Sequence, residues 1–267
     1  MSAYLAIGKI RFLAGMQYRA AAAAGVLTQL FFGLIFLMVY VAFYDQGGAG
    51  QPISLREVAA YIWLQQIFLS FIMLWLRDPE IFSLITSGNI AYELCRPCRL
   101  YAFWFAKLLA TRISGAVLRC FPILLAVFFL PAPYALPLPA SPAAFALFAA
   151  ALLIGLCLVV SISMLIYISV FWTMSPVGSS LMVSVAGEFL AGMIVPVPLM
   201  PGWMQTVAYL LPFRWTTDFP FRVYAGNIPI GEAAWGIGVQ LAWFAALVLF
   251  GQWLLNRALR RVVVQGG

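Results

Sequence analysis

Few residues in this chain could do covalent or acid–base chemistry. Histidine is absent, and Asp and Glu together number 8 of 267 residues, which excludes imidazole bases, His-containing metal sites and Ser-His or Cys-His nucleophile pairs. Cys95 and Cys98 form a C-x-x-C pair, but without a second pair or a histidine the spacing lacks the rest of a zinc site. Cys120 and Cys157 read as small packing residues. No Gly-x-x-x-x-Gly-Lys-Ser/Thr loop is present to cradle a nucleotide's phosphates. The polar residues that remain lie inside apolar stretches, where an ionisable or amide side chain is costly enough to be a functional candidate by default. Gln29, Gln65, Gln66, Arg119 and Glu188 are therefore candidates for a substrate pathway. Each also has a structural alternative. Arg119 and Glu188 could pair with one another or bond helix backbone, and the glutamines could join helices by hydrogen bonds worth about 1 kcal/mol each.

These residues belong to a chain that is 65% hydrophobic and only 9% charged, against about 25% charged in a soluble domain. So little charge cannot cover a water-facing surface, and a bilayer is the remaining home for the apolar residues. A helix needs roughly 20 apolar residues to cross a hydrocarbon core of about 30 Å. The charge-poor stretches then predict an all-α, polytopic membrane protein, a single transmembrane domain with spans over 20–44, 58–76, 107–130, 143–172, 176–196 and 233–256. Pro131, Pro133, Pro137, Pro139 and Pro142 are too dense for helix and place a loop between the third and fourth spans. Residues 3–19 read as an interfacial helix, with Tyr4, Leu5, Ile7 and Ile10 toward the headgroup boundary and Lys9, Arg11 and Arg19 toward water. Lys and Arg are retained on the cytoplasmic side of a membrane. Lys9, Arg11, Arg19, Arg77, Arg96, Arg99, Lys107, Arg257, Arg260 and Arg261 fall on one side, and only Arg56, Arg214 and Arg222 on the other. Both termini are expected in the cytoplasm. The net charge of +7 is a topology signal and a contact with anionic lipid headgroups; a nucleic-acid partner would need a clustered basic face.

Two polar segments interrupt the pattern. Residues 77–106 form a cytoplasmic region in which Asp78-Pro79-Glu80 starts a short helix and Gly88-Asn89 ends it. A helix between two spans could be a lever that another protein pushes, or an ordinary amphipathic connector. On the opposite side, Pro196, Pro198 and Pro201 must break the membrane helix, and residues 197–231 form a broken or re-entrant region.

Taken together and in this order, these features resemble the membrane subunits of type-2 ATP-binding-cassette exporters. The resemblance rests on the basic N-terminal helix, six spans, the cytoplasmic helix followed by Gly88, Leu94 and Pro97, and the outer Gly, Pro and Trp motif that continues through Leu211-Pro212-Phe213 to Tyr224-Ala225-Gly226. Glu93-Leu94-Cys95-Arg96-Pro97 and Gly187-Glu188-Phe189-Leu190 are most similar to the small permeases encoded as pairs. It implies a permease subunit of a bacterial cytoplasmic membrane, with no cofactor of its own. ATP and Mg would be held by a separate ATPase subunit, present in two copies, and a second permease, identical or homologous, would complete the assembly. Asp78, Glu80, Ser83, Gly88, Glu93 and Arg96 would form the coupling helix and its surroundings, docked on the ATPase, while Gly192, Pro196, Pro198, Pro201 and Trp203 would help form an outer gate. An amphipathic or lipid-like cargo would suit the aromatic abundance. The alternative, an ion-coupled secondary transporter or channel, would be expected to carry paired intramembrane carboxylates, inverted repeats or a repeated polar filter.

Overall fold

The computed structural model describes residues 3–47 and 50–261, and among these every regular element is helical. Four helices are long and apolar enough to cross a membrane: α2 (Arg19–Asp45), α7 (Leu100–Phe128), α8 (Pro142–Thr173) and α12 (Ile230–Leu259). The first, α1 (Ala3–Gly15), has no buried residue and lies along α7, where the Tyr4 hydroxyl accepts the Arg99 backbone N–H at 3.0 Å. Helix α8 is apolar on every side, which marks a helix surrounded by protein. It packs against α12, α11, α9, α7 and α5 and forms the centre of the bundle. Ser141 caps its start by accepting the Ala144 N–H at 3.0 Å, and Pro142 occupies its first turn. The charge-free stretches and the proline loop thus place these four helices within a few residues of where they form, save that α7 starts seven residues before its expected boundary, at Leu100 instead of Lys107.

No single continuous helix runs over 58–76, the expected second span. Helix α3 (Leu55–Ile67) begins on a Ser54–Glu57 capping box, stops at Phe68, resumes as the single turn α4 (Leu69–Ile72) and then gives way to non-helical chain over 73–78. The next element is the short helix α5 (Pro79–Thr86), followed by α6 (Ile90–Leu94) and then α7. The helix at the expected fifth span, 176–196, is also shorter: α9 (Pro176–Leu190) has 15 residues, about 22 Å of helix. It ends at Leu190, and in the turn that follows Gly192 has a φ of 84° and a close approach of the Tyr61 hydroxyl that leave no room for a side chain.

Beyond α9 the chain makes a 3-10 turn (Val197–Leu199), α10 (Gly202–Leu210), a second 3-10 turn (Phe213–Thr216) and α11 (Asp218–Ala225) before α12. Helix α11 is buried against α8 and α3 and so is packed into the bundle, whereas α10 lies on its surface with Ala208 alone buried. Gln240 of α12, fully buried, joins the layers by donating to the carbonyls of Ala151 (3.0 Å) and Trp215 (2.7 Å).

Candidate functional site

Helix α5 is held by its own start. The Asp78 carboxylate accepts the Glu80 N–H at 2.9 Å, Pro79 supplies the first helical position, and Ile81, Phe82 and Ile85 bury one face, with the Phe82 ring 4.6 Å from that of Tyr167 in α8. The charged residues at this start turn toward the bundle. Lys107 of α7, only 3% exposed, lies 3.0 Å from Asp78 and 2.9 Å from Glu80, and Arg11 of α1 also pairs with Glu80. Burial alone would raise the Glu80 carboxyl, but hydrogen bonds from Lys107 and Arg11 outweigh it and hold that group below its usual range. Helix α1, the α5 start and α7 therefore share one ionic cluster.

Just before α5, residues 73–78 have no backbone ladder, and side chains from three other helices supply partners. Arg112 of α7, fully buried, donates through Nη1 to the carbonyls of Ser70 (3.2 Å), Phe71 (3.4 Å) and Met73 (2.8 Å), and through Nη2 to Ser163 of α8 (3.1 Å). Glu188 of α9 accepts the backbone N–H groups of Leu74 (2.9 Å) and Trp75 (3.3 Å). The Asp78 N–H donates to the Tyr167 hydroxyl of α8 at 2.6 Å. A cation thus meets the bare carbonyls at the end of α4 and an anion meets the bare amides after it, which is how a helix can break inside apolar surroundings without leaving its backbone unsatisfied.

Other expected site residues fall elsewhere. Ser83, Gly88 and Arg96 are exposed on the same side of the molecule as the outward faces of α5 and α6. Glu93 is not: it is buried, accepts the Trp104 indole N–H at 3.3 Å and pairs with Arg96 at 3.2 Å, because α6 lays that side chain against α7. The five pathway candidates are not gathered into one cavity. Gln65 donates to the Met193 carbonyl at 2.8 Å, Gln66 packs at Gly33 of α2, and Gln29 is buried with neither amide atom bonded. Arg119 lies across Gly25 of α2 and forms no pair with Glu188 among the described residues. After α9, Pro196 precedes the first 3-10 turn, Pro198 is buried in it, Pro201 starts α10 and Trp203 is exposed. Gln205 pins the turn by donating to the carbonyls of Pro198 (3.2 Å) and Met200 (2.8 Å).

Sequence reasoning missed Arg112 and Asp218. Arg112 carried a signal, since it stands in an apolar helix seven positions before Arg119, where a charge is a candidate by default. Asp218 carried none: the sequence places it in a broken segment between spans, yet it opens α11 fully buried, 3.6 Å from Arg222.

A search of characterised proteins and a search of solved structures each returned no match. A family model described as ABC-2 family transporter protein matches residues 30–266, which takes in every long helix but the first residues of α2, together with the α5 region and the segment from α9 to α12. By this match, the chain belongs to the ABC-2 family of membrane transporter proteins.

Proposed function

We propose that this chain is the permease subunit of an ATP-binding-cassette exporter of a bacterial cytoplasmic membrane, driven by a separate ATPase that docks on α5 and α6. All six charge-poor stretches cross the bilayer, the second and fifth with the help of their non-helical ends, and both termini are cytoplasmic. ATP and Mg belong to the ATPase, present in two copies, and a second permease completes the path for an amphipathic cargo.

The observation that carries this reading is the hold on residues 73–78. Groups on α7, α8 and α9 grip the short segment that leads into α5, so a displacement of α5 is passed at once to three membrane helices. Such a rigid-body shift, biased by nucleotide on the partner, would alternate access between the two sides. The outward faces of α5 and α6 offer Ser83, Ser87, Asn89 and Tyr92 to the ATPase, and Tyr92 is 74% exposed. Glu80 and Glu93 serve the internal brace instead of the docking face. The outer segment from Gly192 to Trp203 forms the gate.

Co-purification with the ATPase tests the reading directly. Tyr92→Ala should lower ATPase capture by about tenfold, the loss of an aromatic anchor at an interface, while the helical spectrum and gel-filtration profile stay unchanged. Transport driven by an ion gradient in vesicles lacking any ATPase would overturn it.

A further inference from the structure

Helix α12 ends in three arginines that no carboxylate answers. Its inward face buries Leu247, Gly251, Leu255 and Ala258. Its outward face runs from Leu249, Phe250 and Trp253, each at least half exposed, into Arg257, Arg260 and Arg261. Leu255 and Ala258 share an apolar cluster with Ile81 and Ile90, so the arginines lie at the α5 end of the bundle. With Trp253 and Asn256 they line an open hollow of about 500 Å³. Arg257 and Arg261 are exposed and Arg260 is half-buried, which leaves their charge accessible. The Arg257 guanidinium carbon stands 5.7 Å from the Trp253 ring centre, and that of Arg261 stands 6.0 Å from the ring of Trp172 at the end of α8.

Among the described residues none of the three belongs to an ion pair. The carboxylates around α5, α6 and α9 are engaged elsewhere: Asp78 and Glu80 by Lys107 and Arg11, Glu93 by Arg96, and Glu188 by the amides of Leu74 and Trp75. Glu232, the acid of α12, is at the opposite end of that helix. The bare carbonyls at a helix end carry about half a negative charge, which one arginine offsets and three exceed. A surplus of positive charge at the foot of an exposed apolar stripe sets two requirements on whatever covers it: an anion, and hydrocarbon attached to it. We propose that this face binds an anionic phospholipid of the leaflet at the α5 end, its phosphate held by Arg257, Arg260 and Arg261 and an acyl chain lying along Trp253, Phe250 and Leu249. Guanidinium forks match phosphate oxygens, and tryptophan favours the level of the headgroups. A second copy turned about a two-fold axis along the membrane normal would set these arginines against their own counterparts, and a water-soluble partner would leave the stripe uncovered.

The test needs no ATPase. The purified full chain in neutral detergent would be titrated with phosphatidylglycerol, phosphatidylcholine and glycerol phosphate, and the first bound molecule followed by native mass spectrometry. Phosphatidylglycerol should bind at least about tenfold more tightly than either comparator, and Arg257→Gln with Arg261→Gln should weaken it by at least about tenfold. Removing two exposed charges of α1 and α2 instead, by Lys9→Gln with Arg19→Gln, should change it by less than about twofold. Arg257→Lys with Arg261→Lys should keep part of the affinity, and Trp253→Ala should lower it about threefold. Unchanged circular dichroism and gel filtration would secure the glutamine pair as folded; if that pair did not fold, Arg257→Gln alone would carry the test with a loss of about threefold. Equal losses in the α12 pair and the Lys9 and Arg19 pair, phosphatidylcholine binding as well as phosphatidylglycerol, or glycerol phosphate binding as tightly as the lipid would each overturn the proposal. So would undiminished phosphatidylglycerol binding in the glutamine pair, and a loss of self-association in that same variant would give the face to a second copy.

Discussion

Arg112 bonds three carbonyls at the end of α4 that no other donor among the described residues reaches, and Glu188 accepts the two amides that follow. Arg112→Met should therefore cost more than its lost packing, because each buried acceptor left bare costs roughly 1–3 kcal/mol; a fall in thermal unfolding temperature in detergent would register it. Glu188→Gln retains a carbonyl oxygen for Leu74 and Trp75, so it should unfold close to the wild type, whereas Glu188→Leu should not. If the two substitutions proved equally harmful, the backbone contacts would not be what Glu188 supplies. Glu80 offers a test by pH. Its carboxyl is held below the usual range by Lys107 and Arg11, so it stabilises the fold when ionised. That contribution is complete above the ordinary carboxylate pKa of about 4.3 and is lost as pH falls through the lowered folded-state value. The stability gap between the wild type and Glu80→Gln should hold steady from about pH 7 to about pH 5 and close below that range. A gap unchanged at about pH 3 would mean that Glu80 acts through something other than its charge. At this scale the sequence was only partly legible. It marked Glu188 and Arg119 as expensive, but a list of intramembrane charges does not say which will meet backbone, and that choice was made by where α4 ends.

Elements were easier to read when the signal was local. Proline at 142, the serine before it and the long charge-free runs mark α8 without reference to anything else in the fold. The break at Phe68 has no such marker. Neither proline nor glycine lies near it, and the apolar run over 58–76 looks continuous because the residues that make a break tolerable, Arg112, Ser163 and Glu188, come from later helices. Short apolar segments show the same limit at α9, where the expected span over 176–196 runs past the helix end at Leu190 into the turn at Gly192. Packing between elements gives a further test. A Cβ at Gly155 of α8 would stand 3.0 Å from the Thr216 carbonyl oxygen and 3.4 Å from that of Trp215, and both are backbone atoms in a turn that Gln240 also holds. Gly155→Val should force α8 away from residues 213–216 at a cost of about 1–3 kcal/mol, seen as a lowered unfolding temperature. Wild-type stability in this variant would show that the turn can yield. By contrast, Gly178 has open space around it, and the same substitution there should be far milder.

On the scale of the whole molecule, much of the surface of α2 and α9 remains uncovered. Phe31, Met38, Leu181 and Met182 are all more than half exposed, Met182 at 76%. Helix α9 is about 22 Å long, short of the roughly 30 Å of hydrocarbon it would face if lipid surrounded it. Under the proposed pairing of two permeases, α9 meets a second subunit, and a cysteine at Met182, in a chain stripped of its native cysteines, should cross-link two copies in membranes. A monomer band alone, when the co-expressed partner carries the same cysteine, would place the pairing face elsewhere. Within one subunit, the non-helical stretch over 73–78 sets how force can travel. Chain without its own hydrogen-bond ladder resists tension, since it cannot lengthen past its contour of about 3.3–3.6 Å per residue, but under compression it buckles. Arg112 and Glu188 act as lateral bracing for this strut. Under the proposed cycle its two halves would be mechanically unequal: a pull on α5 would pass through residues 73–78 by the covalent chain alone, whereas a push would need the bracing as well.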